Sequence, residues 1–357
     1  MTMGEMKQIY HVLGIMSGTS LDGVDLAFCE FEKKDRWNFQ LIAGETIPYS
    51  QAWSEQLRNA PTLSAESLMG LNSEYGTFLG KLASDFCFRH KLKPDFISSH
   101  GHTIFHRPNE SYTLQIGSGP HIAATTSLPV IFDFRSGDVA LGGQGAPLVP
   151  IGDRLLFSEM DYCLNLGGIA NISFEKNGER IAFDICAANM VLNYLSGKVG
   201  KSYDANGEMA RSGKADKNLL SKLNALRYYA KPFPKSLGRE DVEADVIPIL
   251  EESTLSVNDL LATFCKHIAH QVSNVITLRN SSNTLLISGG GALNSYLIDC
   301  IKEECKINVV VPSPNIINFK EAIIFAFLGV LRMRNEVNCL KSVTGAERDS
   351  CGGLLIA

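Results

Sequence analysis

The most informative segment of this sequence is Gly14-Ile15-Met16-Ser17-Gly18-Thr19-Ser20-Leu21-Asp22-Gly23-Val24-Asp25. An apolar run over residues 10–15 leads into it, and residues 24–31 leave it with the alternating polar and apolar side chains of a strand. The stretch is therefore predicted to be a β-hairpin with a tip of small residues. Gly18 and Gly23 permit positive φ angles and let a ligand approach the main chain closely.

The hairpin tip carries chemistry that suits a metal-bound polyphosphate. Thr19 and Ser20 offer hydroxyl donors, and Asp22 and Asp25 offer the hard oxygen ligands that Mg²⁺ prefers. An ordinary hairpin turn also selects Gly, Ser and Asp, so the turn alone leaves both interpretations open. It is not a Walker loop, because no Gly-Lys-Ser/Thr ending is present.

Composition limits the class of protein. The 357 residues predict about two domains, and 45% hydrophobic with 20% charged residues is typical of a soluble globular chain. A net charge of −5 without a dense basic block argues against a nucleic-acid partner. No apolar run reaches bilayer length, and no signal pattern opens the chain. The nine cysteines lack a C-x-x-C pair, which favours reduced core residues and a cytoplasmic protein.

The first half of the chain reads as strands and helices around the hairpin. Residues 65–89 have the apolar period of a helix, and residues 120–126 are a second candidate. Strands are predicted at 37–47, 95–99, 112–116 and 130–134. The glycine-rich run 142–147 suits a ligand loop or a domain connector. We therefore place the first lobe at 1–135, which the carboxy-terminal tail could join, and the second at 136–357.

The second half repeats the strand, glycine turn, strand theme. Strands at 162–166 and 169–174 flank Gly167-Gly168, and a strand at 180–183 is predicted to end on Asp184. A strand at 284–288 enters Gly289-Gly290-Gly291 ahead of a helix. Residues 198–235 have no clear period. Further predictions are helices at 189–195 and 257–277, a strand at 308–311, and an apolar helix that opens at Lys320-Glu321 and runs to Arg334.

Three strand-borne glycine turns in one chain fit a nucleotide held between two lobes. Backbone N–H groups from two turns can cradle phosphates, and the third turn suits the adenosine end. This arrangement resembles the actin, hexokinase and Hsp70-like ATPase superfamily. The resemblance implies a two-lobed α/β, ribonuclease H-like fold with a nucleotide cleft between the lobes.

Longer motifs make the resemblance closer. They include the opening stretch 14–25, Asn165-Leu166-Gly167-Gly168-Ile169-Ala170-Asn171 and Ser288-Gly289-Gly290-Gly291-Ala292-Leu293-Asn294. His100-Gly101-His102-Thr103-Ile104-Phe105-His106, Asp133-Phe134-Arg135 with Asp138, the run 142–150 and Lys320-Glu321-Ala322 complete the set in order. Over essentially the whole chain, the sequence resembles the anhydro-N-acetylmuramic acid kinase family.

This resemblance implies an ATP- and Mg²⁺-dependent enzyme, a homodimer, that opens the 1,6-anhydro ring of its sugar and phosphorylates O6 in peptidoglycan recycling. It implies Asp184 as the catalytic base and Asp22 as the metal-binding residue. The implied substrate-binding residues are His100, His102, Arg135, Asp138, Asn189 and Glu321. The implied ATP-binding residues are Gly18, Thr19, Ser20, Leu21, Asp22, Gly23, Val24, Asp25, Gly167, Gly168, Gly289, Gly290, Gly291 and Asn294.

The sequence departs from the family pattern at two places. His102 stands where Gln is usual, and Asp184 is followed by Ile185-Cys186-Ala187-Ala188-Asn189 instead of Thr-Gly-Pro-Gly-Asn. The second change raises a rival function, a kinase for another anhydrosugar such as levoglucosan. A nucleotide-binding regulator with weakened chemistry is the non-enzyme rival, although Asp22, Asp184 and the glycine turns argue against it.

Several of these residues also have plainer structural interpretations. Asp184 could be a helix N-cap, and Arg135 with Asp138 could form an interdomain ion pair. Glu321 could be a second acid or could complement a helix dipole. The three histidines His100, His102 and His106 lack the further ligands of a zinc site, so zinc is not expected. His267 and His270, three apart on a helix, are expected to be surface or packing residues.

Overall fold

A computed structural model describes residues 7–277 and 282–357. The chain forms two compact units, Met1–Phe157 with Phe319–Ala357, and Ser158–Asn318. Residues 136–157, which were expected in the second lobe, thus belong to the first. The reason is local packing: the Phe157 ring lies edge-on against Phe39 at 5.4 Å, and Lys320 pairs with Asp153 at 2.7 Å.

The sheet of the first unit has the order β12-β6-β4-β1-β2-β3, with β5 paired to β4. Its first three strands form an antiparallel meander, and β4 and β6 run parallel to β1. The strands are β1 (Ile9–Ser17), β2 (Gly23–Lys33), β3 (Trp37–Pro48), β4 (Phe96–Arg107), β5 (Tyr112–Ile116), β6 (Val130–Phe132) and β12 (Leu354–Ile356).

Helices cover both faces of this sheet, because alternate residues of β1 point to opposite sides. Leu13 and Ile15 pack in a core with Tyr75 and Leu79 of α2. On the other side Gly14 lies so close to α13 that a Cβ there would be 2.2 Å from the Ala322 carbonyl oxygen. The helices are α1 (Gln51–Asn59), α2 (Ala65–His90), α3 (Gly119–Thr126), α4 (Ser136–Ala140), α5 (Val149–Leu156), α13 (Pro314–Met333) and α14 (Lys341–Thr344).

The second unit has a sheet with the order β11-β10-β7-β8-β9. Again three strands form an antiparallel meander, and two more run parallel to the first of them. The strands are β7 (Tyr162–Leu166), β8 (Ile169–Lys176), β9 (Glu179–Ala187), β10 (Thr284–Ser288) and β11 (Asn308–Val310). The helices are α6 (Asn189–Gly197), α7 (Glu208–Ser212), α8 (Lys217–Asn224), α9 (Arg239–Asp241), α10 (Ile247–Glu251), α11 (Val257–Val275) and α12 (Ser295–Cys305).

The same strand order and directions therefore occur twice in the chain. This repeated ribonuclease H-like arrangement confirms the predicted fold class. Among the described residues, no helix has the length and apolar character that crossing a bilayer requires. All nine cysteines are free thiols, and seven of them are buried.

Most predicted elements are present, but three differ in their extent. Strand β4 continues to Arg107, so the histidine-rich run lies in a strand that pairs with β5. Strand β9 continues past Asp184 to Ala187, because Cys186 and Ala187 still pair with β8. Helix α13 begins at Pro314, so Glu321 lies within its body and the helix-dipole interpretation of that residue is wrong.

Candidate functional site

The tip of the first hairpin comprises residues 18–22, between the end of β1 and the start of β2. Thr19, Ser20 and Asp22 are exposed there, and Leu21 takes a positive φ of 61°. A Cβ at Gly18 would meet nothing closer than 3.5 Å, whereas one at Gly23 would lie 2.4 Å from the Ile47 carbonyl oxygen. Gly23 is therefore required by strand packing, and Gly18 leaves the tip open to a ligand.

The two aspartates of the hairpin occupy different environments. Asp25 lies within β2, and Thr46 donates a hydrogen bond to it at 2.6 Å. Burial raises the pKa of Asp25, Thr46 lowers it, and the nearby Asp22 carboxylate raises it further. One exposed carboxylate beside a second is a donor set that suits Mg²⁺, which keeps several waters and binds through one or two carboxylates plus phosphates.

A chain of hydrogen bonds lies directly beneath the tip. The Ser17 hydroxyl bonds to Nδ1 of His102 at 2.9 Å and to the Tyr49 hydroxyl at 2.6 Å, and Tyr49 also bonds to Tyr75. His102 is only 3% exposed, and burial lowers its pKa to about 4. The imidazole is therefore neutral at physiological pH, as the amide of a Gln would be.

His100 and Arg135 form a second buried pair in the first unit. Arg135 donates from Nε and Nη2 to Nε2 of His100, at 3.0 and 2.8 Å, and from Nη1 to the Gly145 carbonyl at 2.6 Å. Burial lowers the pKa of His100, and the adjacent guanidinium adds to this. Desolvation of the carboxyl group raises the pKa of Glu321, the Arg135 charge lowers it, and the Asp25 carboxylate raises it again. These predicted residues therefore share one electrostatic environment.

Asp138 has a different set of partners from those expected. It is 1% exposed and accepts hydrogen bonds from the Gly145 amide and the Thr344 hydroxyl, both at 2.8 Å, and from the Cys339 thiol at 3.0 Å. Arg135 binds His100 and Gly145 instead, so the proposed ion pair between Arg135 and Asp138 is absent from the described contacts. The contacts of Asp138 anchor the glycine-rich loop to the carboxy-terminal tail.

In the second unit, two glycine turns leave the same edge of the sheet. Strands β7 and β10 are parallel, with Asn165 opposite Ser288, so their carboxyl ends meet. Gly289 has a φ of 79°, and a Cβ there would be 2.5 Å from Oδ1 of Asn165. A Cβ at Gly291 would be 2.7 Å from the Leu166 Cβ. Gly289 and Gly291 are therefore required for the second turn to pack against β7, whereas a Cβ at Gly167 or Gly168 would meet nothing closer than 3.4 Å.

Asn189 and Asn294 stabilise these turns. Nδ2 of Asn189 donates to the Leu166 carbonyl at 2.9 Å, and its amide donates to the Gly167 carbonyl at 3.1 Å. Asn294 caps α12, accepting from the Leu297 amide at 3.0 Å. These observed contacts are structural, and the predicted ligand roles of the two residues stay predictions.

Asp184 lies in β9 at a β-bulge. Asn171 pairs with Asp184 and Ala170 with Cys186, which leaves Ile185 as the extra residue. Bulges of this kind redirect side chains and recur beside active sites. Burial raises the pKa of Asp184, and a hydrogen bond from the Leu237 amide opposes this. The N-cap interpretation is wrong, because α6 begins only at Asn189 with Ala188 as its cap.

Some contacts of the site residues were not predicted. Tyr228 and Lys235, from the stretch that showed no period, and Leu237 just beyond it form hydrogen bonds with Asp184. Tyr49 and Tyr75 connect to His102 through Ser17. In the sequence, Tyr49 only follows the predicted strand at 37–47, and Tyr75 is only one residue of the predicted helix at 65–89. His267 is a packing residue, as expected: it is buried between Asn224 and Tyr229, with hydrogen bonds of 2.7 and 2.8 Å.

Two units of one strand order, each with a glycine-bearing turn after its first strand, define an α/β protein of the actin-like class. Within this class the chain belongs to the anhydro-N-acetylmuramic acid kinase family, whose model matches residues 10–356. It is therefore an enzyme of the kinase type.

Individual relatives agree with this assignment. The anhydro-N-acetylmuramic acid kinase of Pasteurella multocida is 33% identical over 363 residues, 94% of each chain. That of Clostridioides difficile is 34% identical over 365 residues, covering 94% of this chain and 95% of the relative.

Solved structures are more distant. Component A of (R)-2-hydroxyglutaryl-CoA dehydratase from Acidaminococcus fermentans is 13% identical with a TM-score of 0.46, covering 89% of this chain and 96% of the other. Plasmodium falciparum glycerol kinase with ADP is 9% identical with a TM-score of 0.45, covering 92% and 91%.

Proposed function

We propose that this enzyme uses ATP to convert 1,6-anhydro-N-acetylmuramic acid into N-acetylmuramic acid 6-phosphate, in peptidoglycan recycling and amino-sugar catabolism. The anhydro bridge leaves no free hydroxyl at O6. Water must therefore add to C1 while the C1–O6 bond breaks, and the freed O6 takes the γ-phosphoryl group of ATP. Such a reaction needs a base for the water and charge stabilisation for the phosphoryl group.

The observation that carries this proposal is the state of Asp184. One of its carboxylate oxygens, Oδ2, accepts the Leu237 amide at 3.0 Å, and Oδ1 makes no hydrogen bond among the described residues. Its pKa is raised by burial, which brings a carboxylate closer to the range where it acts as a base near neutral pH. A partly buried base with one unused oxygen suits the removal of a proton from water.

The phosphoryl half of the reaction needs positioning and charge neutralisation. We assign these roles to the exposed tip of the first hairpin, where Asp22 would hold Mg²⁺, and to the glycine turns of the second unit. Mg²⁺, when bound, supplies positive charge to the phosphates. The backbone N–H groups of the glycine turns can donate to anionic oxygens without a side chain in the way.

A kinase for a different anhydrosugar is the second candidate, because of the altered segment after Asp184. Ile185, Cys186, Ala187 and Ala188 are all buried, at 2% exposure or less. Ile185, Cys186 and Ala187 continue β9, and Cys186 and Ala187 pair with β8, so the change alters the core between Asp184 and Asn189. This favours retention of the sugar site over its replacement.

The test is a coupled ADP-release assay with 1,6-anhydro-N-acetylmuramic acid, levoglucosan and an ordinary hexose, run in ¹⁸O-labelled water. We expect turnover of the first sugar, with label on C1 of the product and none in the phosphoryl group. Label in the phosphate would mean that water attacks ATP, and preferred turnover of levoglucosan would select the second candidate. The family resemblance also implies a cytoplasmic homodimer, which light scattering of the purified enzyme would test for its oligomeric part.

A further inference from the structure

Asp184 is held by hydrogen bonds from one stretch of the second unit. Its amide donates to the Lys235 carbonyl at 3.2 Å, and the Leu237 amide donates to its Oδ2 at 3.0 Å. The Tyr228 hydroxyl donates to the Asp184 carbonyl at 2.6 Å. We call residues 235–237 the Asp184 strap. Tyr228 and the strap together fix the backbone and one carboxylate oxygen of Asp184.

The position of Asp184 in the sheet explains why such support is needed. Strand β9 is the edge of its sheet, so no further strand among the described residues pairs with its outer side. The bulge at Ile185 also interrupts the ladder immediately after Asp184. An edge residue beside a bulge is poorly fixed by strand pairing alone. The strap supplies the hydrogen bonds that a neighbouring strand would otherwise provide.

The strap itself is anchored through Lys235 and Tyr228. The Lys235 ammonium donates to the carbonyls of Tyr228 and Tyr229, at 3.3 and 3.4 Å, and lies 4.7 Å from the centre of the Tyr228 ring. Tyr228 is buried, with 8% exposure, so its hydroxyl and ring are both held in place. The turn at Arg227–Ala230 and the strap therefore act on Asp184 as one support.

We propose that Tyr228 and the Asp184 strap are positioning elements, which hold one carboxylate oxygen of Asp184 and leave the other to take the proton from water. This inference rests on the proposed role of Asp184 as the base. The proton passes from the attacking water to Oδ1, the water oxygen bonds to C1, and the C1–O6 electron pair leaves with O6. Neither Tyr228 nor the strap exchanges a proton.

The support also bears on the charge of Asp184. Burial raises its pKa and the Leu237 amide lowers it, because that N–H stabilises the ionised carboxylate. Tyr228→Phe keeps the ring and its contacts with Lys235 but removes the hydroxyl that holds the Asp184 carbonyl, so the Asp184 carboxylate can move away from the Leu237 N–H. The pKa of Asp184 should then rise. Among the titratable groups of the support, Tyr228 interacts with Asp184, Cys186 and Asp241, and Lys235 interacts with Cys186 and Lys231.

The experiment compares Tyr228→Phe with Tyr229→Phe. The neighbouring Tyr229 also loses a buried hydroxyl in this change, but its partner is Nε2 of His267 at 2.8 Å and not Asp184. For Y228F we expect kcat to fall about 10-fold to 100-fold with little change in the KM for the sugar. We also expect the acid limb of kcat/KM against pH to move up by roughly one unit. Y229F should keep the wild-type acid limb, even if its melting temperature falls.

Both effects in Y228F are required, so a wild-type kcat or an unmoved acid limb would overturn the inference. An equal shift of the limb in Y229F would also overturn it, since general loosening would then be the cause. Asp184→Asn is assayed beside them. If D184N is inactive and Y228F is unaffected, only the positioning role of Tyr228 and the strap is contradicted. If D184N is active, both the proposed base and this inference are contradicted.

Discussion

Both units have a hairpin after their first strand, but the two hairpins expose different chemical groups. In the first unit the tip between β1 and β2 is exposed and carries Thr19, Ser20 and Asp22. In the second unit the turn between β7 and β8 is Gly167-Gly168, and its carbonyls accept hydrogen bonds from the amides of Ala188, Asn189 and Met190. One hairpin offers side chains to a ligand, and the other offers only main chain.

This difference shows how one topology can supply complementary chemistry. A carboxylate and hydroxyls at an open tip can meet a metal and phosphate oxygens, whereas a glycine turn fixed from behind can present N–H groups at a constant position. Each style makes a distinct prediction for mutation. Changes at the first hairpin should affect turnover and spare stability, whereas changes at the closely packed Gly289 and Gly291 of the second unit should affect folding.

The largest effect is expected at Asp184, the proposed base in the second unit. Asp184→Asn keeps the side-chain size but removes the base, so kcat should fall by on the order of 10²–10⁴ with little change in binding. Steady-state ADP release gives kcat, and calorimetric titration with sugar and an ATP analogue gives binding. A loss below about tenfold would point to another base, with Glu321 the next candidate.

The open tip provides the next test. Asp22→Asn should lower turnover by about 10²–10³, because one charge that stabilises a transferring phosphoryl group is lost. The fold should be unaffected, since the side chain is exposed. Turnover is measured across a range of Mg²⁺ concentrations beside a thermal melt. Full activity in a folded variant would remove Asp22 from the phosphate site.

The glycine turns offer a matched pair of substitutions. Gly289→Ala places a Cβ at a positive φ and 2.5 Å from Asn165, and should destabilise the protein by about 1–3 kcal/mol. Gly290→Ala is the control, because its Cβ would meet only Asn189 at 3.8 Å. Melting temperatures of the two variants are compared with those of wild type and Gly18→Ala. Equal melting temperatures for G289A and G290A would contradict the packing argument.

The smallest effect is expected at His102. Its pKa of about 4 lies below the ordinary value of 6.5, so the unfolded chain binds a proton in this window that the folded chain does not. The stability of the wild type should therefore rise with pH between about 4 and 6.5 and be lost as pH falls through that range. His102→Gln should lose less stability on acidification, and its activity near pH 7.5 should stay within a few-fold.

Melts of His102→Gln at pH 4.5 and 7.5 check this difference, with the exposed His121→Gln as a control. An acid loss in H102Q as steep as that of the wild type would show that His102 is not the group concerned. His100 and His267, also buried with lowered pKa values, remain in both proteins.

The sequence predicted the strands, helices and turns that depend on local patterns of residues. The sequence predicted a strand from the alternation after Gly23, a helix from the period of 65–89, and the glycine turns. The structure has β2, α2 and the turns at those places. The resemblance to a kinase family supplied the residues that pattern alone left open, such as Asp184. Their roles in catalysis await the mutants described above.

Features that depend on contacts between residues far apart in the sequence could not be predicted from local patterns. The bulge at Ile185 arises from the register of β9 on β8, which no local pattern encodes. The family resemblance assigned Asp138 to the sugar site, but its hydrogen bonds to Thr344 and Cys339, some two hundred positions further along the chain, had no signal in the sequence. The unit boundary was predicted in part: the tail was expected to be able to join the first unit, and β12 does pair with β6 there, but residues 136–157 were placed in the other unit.

The discontinuous first unit has a consequence for how the protein is made. Residues of Ser158–Asn318 form a unit from one uninterrupted stretch, whereas the first unit needs α13 and β12 from the far end of the chain. On the ribosome, the first 157 residues are therefore synthesised before α13, so the face of β1 that carries Gly14 does not yet have Ala322 to pack against. The second unit can complete its core while the first is still incomplete, so the later-synthesised unit is the one able to fold first.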